Sequence, residues 1–147
     1  MKSYQGRCHC GALGFSFSTA IPPAEWSVRA CQCDFCRAHG ALSTSDPHGQ
    51  IEFRASSPEH LTSYRFGLRT ADFLICTGCG VYVGALTEIG GRAFGIINVR
   101  ALHPMPAALP EPRAMTYDGE TTGERAERRA ERWSPALDAT TSGSAVG

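Results

Sequence analysis

Near the middle of the chain the sequence reads Cys76-Thr77-Gly78-Cys79-Gly80, a spacing typical of a zinc knuckle. Glycines in such a turn permit positive φ angles and let backbone N–H groups approach the sulfur atoms. A second pair, Cys8 and Cys10, can present both sulfurs on one side of an extended segment, and Gly11 permits a sharp turn after it. Two such pairs supply four thiolates, which is enough for a closed tetrahedral zinc site. Such a site would tie the first strand to the centre of the chain.

The remaining cysteines form a compact triplet of Cys31, Cys33 and Cys36. Three thiolates can hold zinc and leave the fourth position for water or an incoming ligand, which is the arrangement of a catalytic site. Spacing alone does not fix the pairing of the groups, and two alternatives stay open. One is a single zinc that uses four of the seven cysteines, and the other is an iron–sulfur or redox role. The division into four and three is the simplest that uses every cysteine.

The composition is that of a single globular domain. The chain has 147 residues, of which 42% are hydrophobic and 19% charged, so it is too apolar to be wholly disordered. Its 14 basic and 14 acidic residues balance, which argues against a broad electrostatic grip on nucleic acid or an anionic membrane. No apolar run resembles a signal peptide or reaches the roughly 18–20 residues of a transmembrane helix. We therefore expect a cytoplasmic protein, in which the cysteines stay reduced.

Short alternating segments before residue 100 predict a mostly β fold. Leu13, Phe15 and Phe17 alternate with small residues, as in a half-buried strand that follows the first cysteine pair. Turn residues Gly90 and Gly91 separate the last two predicted strands. The predicted strands are residues 13–17, 26–30, 51–53, 61–66, 72–75, 81–86 and 93–99.

The character of the sequence changes after residue 100, where prolines break the chain. Residues 120–133 can form a helix with Thr121 or Thr122 as its N-cap. The acidic and basic residues of this helix nearly cancel, which favours a solvated helix lying on the domain over an RNA-binding arm. Residues 138–147 are small and polar and are expected to fray. The predicted organisation is a zinc-binding domain at 1–118, followed by a C-terminal helix and flexible tail at 119–147.

Four stretches carry a specific pattern across residues 5–100. They are Gly6-Arg7-Cys8-His9-Cys10-Gly11-Ala12, Cys31-Gln32-Cys33-Asp34-Phe35-Cys36-Arg37, Leu61-Thr62-Ser63-Tyr64-Arg65-Phe66-Gly67 and Cys76-Thr77-Gly78-Cys79-Gly80-Val81. Together they resemble the family of glutathione-dependent formaldehyde-activating enzymes, which includes centromere protein V. The resemblance implies a tent-like zinc-binding fold of packed antiparallel sheets. It also implies two zinc sites, a structural one on Cys8, Cys10, Cys76 and Cys79 and an exchangeable one on Cys31, Cys33 and Cys36.

The chain departs from the family pattern in two respects. It is shorter than the founding enzyme type, and Tyr82 stands where histidine is frequent. Both departures leave the zinc ligands intact and bear instead on the identity of the substrates.

The resemblance implies a zinc-dependent carbon–sulfur lyase of the S-(hydroxymethyl)glutathione synthase type. A thiol such as glutathione would add reversibly to a small aldehyde such as formaldehyde, with neither nucleic acid nor membrane as a partner. The alternative is a non-catalytic, zinc-stabilised thiol carrier or binding module. The triplet favours the enzyme, because three cysteines without a fourth protein ligand leave an exchangeable position.

The substrates predict which further residue types the site needs. Glutathione carries two carboxylates, so an arginine is expected near the triplet. Arg37, one residue after the last ligand, is the first candidate for substrate binding, followed by Arg65 and Arg69. Addition to an aldehyde leaves an alkoxide that needs a proton. The sequence does not rank the four candidate proton donors, so the catalytic residue stays unassigned: Asp34, His39, His48 and Tyr82.

Overall fold

The computed structural model describes residues 1–138. Strands make up 41% and helices 19% of the described residues, which confirms the mostly β prediction. The strands are β1 (Lys2–Arg7), β2 (Leu13–Thr19), β3 (Arg29–Cys31), β4 (Ser43–Thr44), β5 (Gln50–Ala55), β6 (Leu61–Tyr64), β7 (Asp72–Cys76), β8 (Tyr82–Ile89), β9 (Arg92–Asn98), β10 (Arg113–Met115) and β11 (Ser134–Asp138). The α-helices are α1 (Asp34–His39) and α2 (Thr122–Arg132). Within the described residues, no helix has the length and apolar character needed to cross a membrane.

The strands form two groups that β11 connects. The first group is the antiparallel sheet β1–β2–β5. The second runs β6–β7–β8–β9 and continues beyond β9 through β4 and β3 to β10. Ser134 and Pro135 at the start of β11 pair with β9, and residues 136–138 pair in parallel with β5. The C-terminal strand therefore lies between the two groups.

The β8–β9 hairpin separates two hydrophobic cores. Its turn consists of Gly90 and Gly91, whose φ angles of 58° and 78° suit the tight two-residue turn between paired strands. Val83 and Ile97 face the first sheet and belong to the core around its phenylalanines. Side chains on the other face, among them Phe94, belong to a second core that also contains a cysteine of the triplet. The hairpin therefore contributes side chains to the same core as Cys36 of the triplet.

The C-terminal helix α2 begins at the first of its two predicted caps. The Thr121 hydroxyl accepts a hydrogen bond from the Glu124 N–H at 3.1 Å, and the Glu124 carboxylate accepts one from the Thr121 N–H at 2.9 Å. This reciprocal pair satisfies two N–H groups that the first turn would leave unpaired. The helix lies on the domain as predicted, but its charged face is not wholly solvated, since Arg129 is only 7% exposed.

The segment after α2 differs from its prediction as a tail. Residue 138, expected to fray, is the last residue of β11, because the preceding backbone pairs with both neighbouring strands. The remainder of the predicted tail, residues 139–147, lies outside the described residues. The organisation with a boundary at residue 118 stays a prediction.

Most predicted strands are present, and the differences have local causes. The predicted strand 26–30 begins only at Arg29, because the chain before it bends so that the Trp26 indole N–H donates to the Ile21 carbonyl at 2.9 Å. The edge strand β1 was missed because its side chains are mostly exposed and show no apolar alternation. The short helix α1 was missed because it lies within the cysteine triplet.

Candidate metal centre

The four-cysteine cluster has the dimensions of a tetrahedral thiolate site. The Cys10 Sγ lies 3.7 Å from the Cys8 Sγ and 3.6 Å from the Cys76 Sγ. Together with the Cys79 sulfur, all four lie within 4.8 Å of one another. A tetrahedron with Zn–S bonds of 2.3 Å has edges of about 3.8 Å, whereas a disulfide is only about 2.0 Å long. The donor set therefore fits a zinc ion.

Two turns place these sulfurs at adjoining strand ends. Cys8 follows β1, and its sulfur accepts the Leu13 N–H at 3.2 Å across a turn in which Gly11 has a φ of 85°. Cys76 ends β7, and its sulfur accepts the Cys79 N–H at 3.5 Å. Backbone donors of this kind stabilise thiolate charge and orient the ligands. The predicted turn geometry is present in both pairs.

The sulfurs of this cluster differ in their tendency to ionise. Burial raises the pKa of the Cys8 thiol to about 11, although the Leu13 N–H opposes this effect. At Cys79 burial also raises the pKa, but backbone N–H donors and neighbouring thiols outweigh it and lower the pKa to about 6. The buried Cys8 thiol would therefore give up its proton only to a strong competitor, such as a metal ion.

The three-cysteine cluster is built on the entry to α1. Cys31 ends β3, Cys33 is the N-cap of α1, and Cys36 lies in the first turn. The Cys33 sulfur accepts the Cys36 N–H at 3.4 Å, which is the bond of an N-capping side chain. This local bond brings the last two sulfurs to one side, and all three lie within 4.8 Å of one another. The cluster offers three thiolates to one ion.

One thiol of the cluster ionises near neutral pH. A hydrogen bond with the Cys36 thiol lowers the pKa of Cys31 to about 6 despite the opposing effect of burial, and the positive charge of Arg128 contributes. The same interaction with Cys31 raises the pKa of Cys36. The cluster therefore carries negative sulfur charge that faces arginine.

A cavity opens beside this cluster, and three kinds of side chain line it. The three cysteines contribute to the lining, as do the aromatic and apolar side chains Phe66, Phe73, Ile96 and Trp133. Four arginines also line the cavity and are called the arginine wall below: Arg29, Arg125, Arg128 and Arg129. Thiolates, an apolar lining and fixed positive charge together suit an anionic, sulfur-containing ligand.

The arginines predicted for substrate binding lie elsewhere. Arg37 is exposed on α1 and is not among the residues that line the cavity. Arg65 pairs with Asp72 at 2.7 Å, and the Arg69 side chain donates to the Arg65 carbonyl at 3.4 Å. A role for Arg37 stays a prediction, and the structure brings other arginines to the cysteines.

None of the predicted proton donors is among the cavity-lining residues. Asp34 and His48 are exposed, and His39 is exposed with its ring 5.7 Å from that of Tyr82. Tyr82 is fully buried in the second core, and its hydroxyl finds no hydrogen-bond partner among residues 1–138. Burial raises the pKa of Tyr82 well above its ordinary value, with the nearby cysteines adding to the effect.

Sequence reasoning missed the arginine wall because of where its members stand. Three of its members lie on α2, the helix for which the sequence predicts a solvated charged face: Arg125, Arg128 and Arg129. A balanced charge pattern favours that interpretation, and only the position of α2 in the folded chain places these residues beside the cysteines. The one available signal was Trp133, a large apolar residue at the end of a polar helix.

Comparison with known proteins agrees with this geometry. The family model described as glutathione-dependent formaldehyde-activating enzyme matches residues 3–117, a range that contains all seven cysteines. The chain belongs to this family. Membership connects it with glutathione-dependent formaldehyde activation, and both cysteine clusters are consistent with metal binding in this family. The match ends before α2, so three of the four arginines on the cavity wall lie outside the matched segment.

A solved structure supports the fold. The crystal structure of a Rhodobacter sphaeroides protein from structural genomics is 29% identical, with a TM-score of 0.56. The alignment covers 72% of this chain and 97% of that chain. The family member described here therefore shares its architecture with a second protein over most of the length of both.

Proposed function

We propose that this family member is a zinc-dependent carbon–sulfur lyase that adds a glutathione-like thiol reversibly to a small aldehyde such as formaldehyde. In the addition, the thiolate sulfur attacks the carbonyl carbon and a C–S bond forms. The electron pair of the C=O bond moves to the oxygen, which takes up one proton. The lyase direction reverses these changes and releases aldehyde and thiol.

The observation that carries this proposal is the difference between the two clusters. Four cysteines form a complete tetrahedral donor set, whereas the triplet is joined within 4.8 Å by no further histidine, cysteine or carboxylate of residues 1–138. The triplet also forms part of a cavity wall. We therefore assign structural zinc to the first cluster and exchangeable zinc to the second, where a ligand can complete the coordination.

The residues around the triplet have separate tasks in this reaction. Cys31, Cys33 and Cys36 would hold the ion, which when bound lowers the pKa of a thiol ligand so that it reacts as a thiolate at neutral pH. The arginine wall would attract the carboxylates of the ligand. Phe66 and Phe73 belong to the apolar lining of the cavity and would limit the access of water to the reacting atoms.

Cobalt substitution tests the proposed thiol site. Thiolate-to-cobalt charge-transfer bands grow with each sulfur ligand, so glutathione should strengthen the band of the cobalt-loaded protein and release about one proton. Cys36→Ser should abolish this response. As a control outside the site, Arg92→Gln changes a residue of β9 that does not line the cavity, and should respond like the wild type.

An unchanged cobalt spectrum at millimolar glutathione would contradict thiol activation and support the non-catalytic binding module. If the band grows, mixing with formaldehyde should consume free thiol, measured with a thiol-specific reagent, faster than in protein-free solution.

A further inference from the structure

Arg129 is a buried cation that has no acidic partner among residues 1–138. It is 7% exposed, and its Nε is a fully buried donor that has no hydrogen-bond acceptor among the described residues. One Nη donates to the Thr70 hydroxyl at 2.8 Å, and the guanidinium lies 4.7 Å from the centre of the Trp133 ring. Burial lowers the pKa of Arg129 to about 10. A charge held in such a place is costly unless something neutralises it.

Its neighbours on α2 are differently placed, because they already bind a carboxylate. Arg125 and Arg128 both donate to Glu120, at 3.0 Å and 2.7 Å respectively. Arg128 also lies 3.7 Å from the centre of the Tyr117 ring, which fixes it further. Positive charge from these two residues raises the cost of the Arg129 charge rather than relieving it. Among the three arginines of α2 that line the cavity, only Arg129 has no carboxylate partner among the described residues.

The fourth arginine of the wall is also held by neutral groups. Arg29 donates to the Ser45 hydroxyl at 2.8 Å and has no ion pair among residues 1–138. Asp118 is the single acidic residue of the described chain that lines the cavity. Positive charge therefore exceeds negative charge around the cavity, apart from the cysteine sulfurs.

We propose that Arg129 is the carboxylate anchor of the cavity, so that an acidic thiol binds with its sulfur at the three-cysteine cluster and a carboxylate at Arg129. The sulfur end of this arrangement rests on the proposed function. The stacking on Trp133 and the bond to Thr70 hold the guanidinium in one orientation before the ligand arrives. A preorganised fork of donors suits the planar carboxylate group. The anchor lies in the segment after the family match, so this choice of ligand is a property of the chain's own C-terminal helix.

A competing explanation is that Arg129 neutralises the cysteine thiolates themselves. The two explanations differ in what they predict for the ligand. A carboxylate anchor distinguishes a thiol with free carboxylates from the same thiol with esterified ones, whereas a residue that supports the cluster affects both thiols equally.

Calorimetry on the zinc-loaded full chain tests the anchor, with glutathione and glutathione diethyl ester as probes. The wild type should bind glutathione about 10- to 100-fold more tightly than the diester, the range of a charge-assisted hydrogen bond. Arg129→Gln should bring this ratio close to one by weakening glutathione alone. Arg132→Gln is the matched control, because it removes an exposed arginine of the same helix that does not line the cavity, and it should keep the ratio.

One result would overturn the anchor: an unchanged affinity ratio in Arg129→Gln, whether that variant binds both probes like the wild type or weakens both equally. If Arg129→Gln does not fold, Arg129→Lys is the second variant, because lysine keeps the positive charge but lacks the planar set of N–H donors. Its affinity ratio should fall at least threefold, and an unchanged ratio would again overturn the anchor. The cobalt spectrum reports the sulfur end separately. Carboxylate-dependent binding without a spectral response would contradict the proposed function and leave the anchor standing.

Discussion

Cys33 combines two roles in one side chain. Its sulfur caps α1 by accepting the Cys36 N–H, and the same sulfur belongs to the three-cysteine cluster. The cap fixes the distance between two of the three ligands within a single turn. Cys8 differs, because it is 1% exposed and belongs to the cluster that joins the β1–β2 turn to the end of β7. One cluster therefore connects distant parts of the chain, and the other is local.

This difference predicts that Cys8→Ser destabilises the protein far more than Cys33→Ser. The first change removes a ligand from the site that joins distant strands, and should cost at least about 3 kcal/mol of the free energy of unfolding. The second keeps the helix cap, since serine is a good N-cap residue. Thermal unfolding of both zinc-loaded variants, with Cys79→Ser expected to behave like Cys8→Ser, provides the measurement. Equal losses of melting temperature would contradict the division into structural and exchangeable sites.

One acidic residue just before α2 positions two arginines of the helix beside the cavity. Glu120 binds Arg125 and Arg128 and holds both at the cavity wall. Hydrogen bonds from Arg128 contribute most to lowering the pKa of Glu120, while partial burial opposes them. Since the folded pKa is below the ordinary value of about 4.3, the stabilisation is complete above that value and is lost as the pH falls through the folded pKa.

We therefore expect Glu120→Gln to lower stability by about 1 kcal/mol at pH 7 and to have progressively less effect below about pH 4. Urea unfolding of wild type and variant at a series of pH values between 7 and 3 measures the difference directly. Glu124→Gln is the matched control, because glutamine can serve equally well in the helix cap. A difference between wild type and Glu120→Gln that stays constant down to pH 3 would show that the ion pairs are not its cause.

Within the molecule as a whole, the last described strand, β11, connects the two groups of strands. Ala136 pairs with Ile51 of the first sheet, and Ser134 pairs with Gly95 of the second. The Ser134 hydroxyl also donates to the Asp46 carbonyl and accepts the Asp46 N–H, both at 2.8 Å, in a fully buried position. The segment matched by the family model ends at residue 117, before this strand. The strand nevertheless connects the two groups of strands that the matched segment forms.

A chain ending at residue 118 should therefore lack a cooperative unfolding transition, whereas one ending at residue 138 should retain it. The shorter chain exposes the inner edges of β5 and β9 and loses the buried Trp133. Far-ultraviolet circular dichroism during heating distinguishes the two. A cooperative transition at the same temperature in both would support an independent domain at 1–118 and make the C-terminal segment an accessory.

The sequence by itself determined the three local cysteine groups and most of the strands, and the resemblance to the family implied how those groups combine. Spacing within Cys8–Cys10 and Cys76–Cys79 fixes local geometry, because two sulfurs in one turn have few ways to point. The alternation of apolar and small residues from Leu13 to Phe17 likewise predicts a strand, because this pattern repeats every two residues. Membership of the family was predicted from these same stretches.

Only the tertiary structure decided what surrounds the three-cysteine cluster. A balanced run of charges on a helix has the same pattern whether it faces water or a cavity. Only the position of α2 in the folded chain places these charges at the cavity. The strand β11 has no recognisable pattern either, since its five residues gain their structure from pairing with β5 and β9. Contacts between residues far apart in the chain leave little trace in local sequence. For this reason the cysteines of the two clusters could be predicted, and the arginines that line the cavity beside one of them could not.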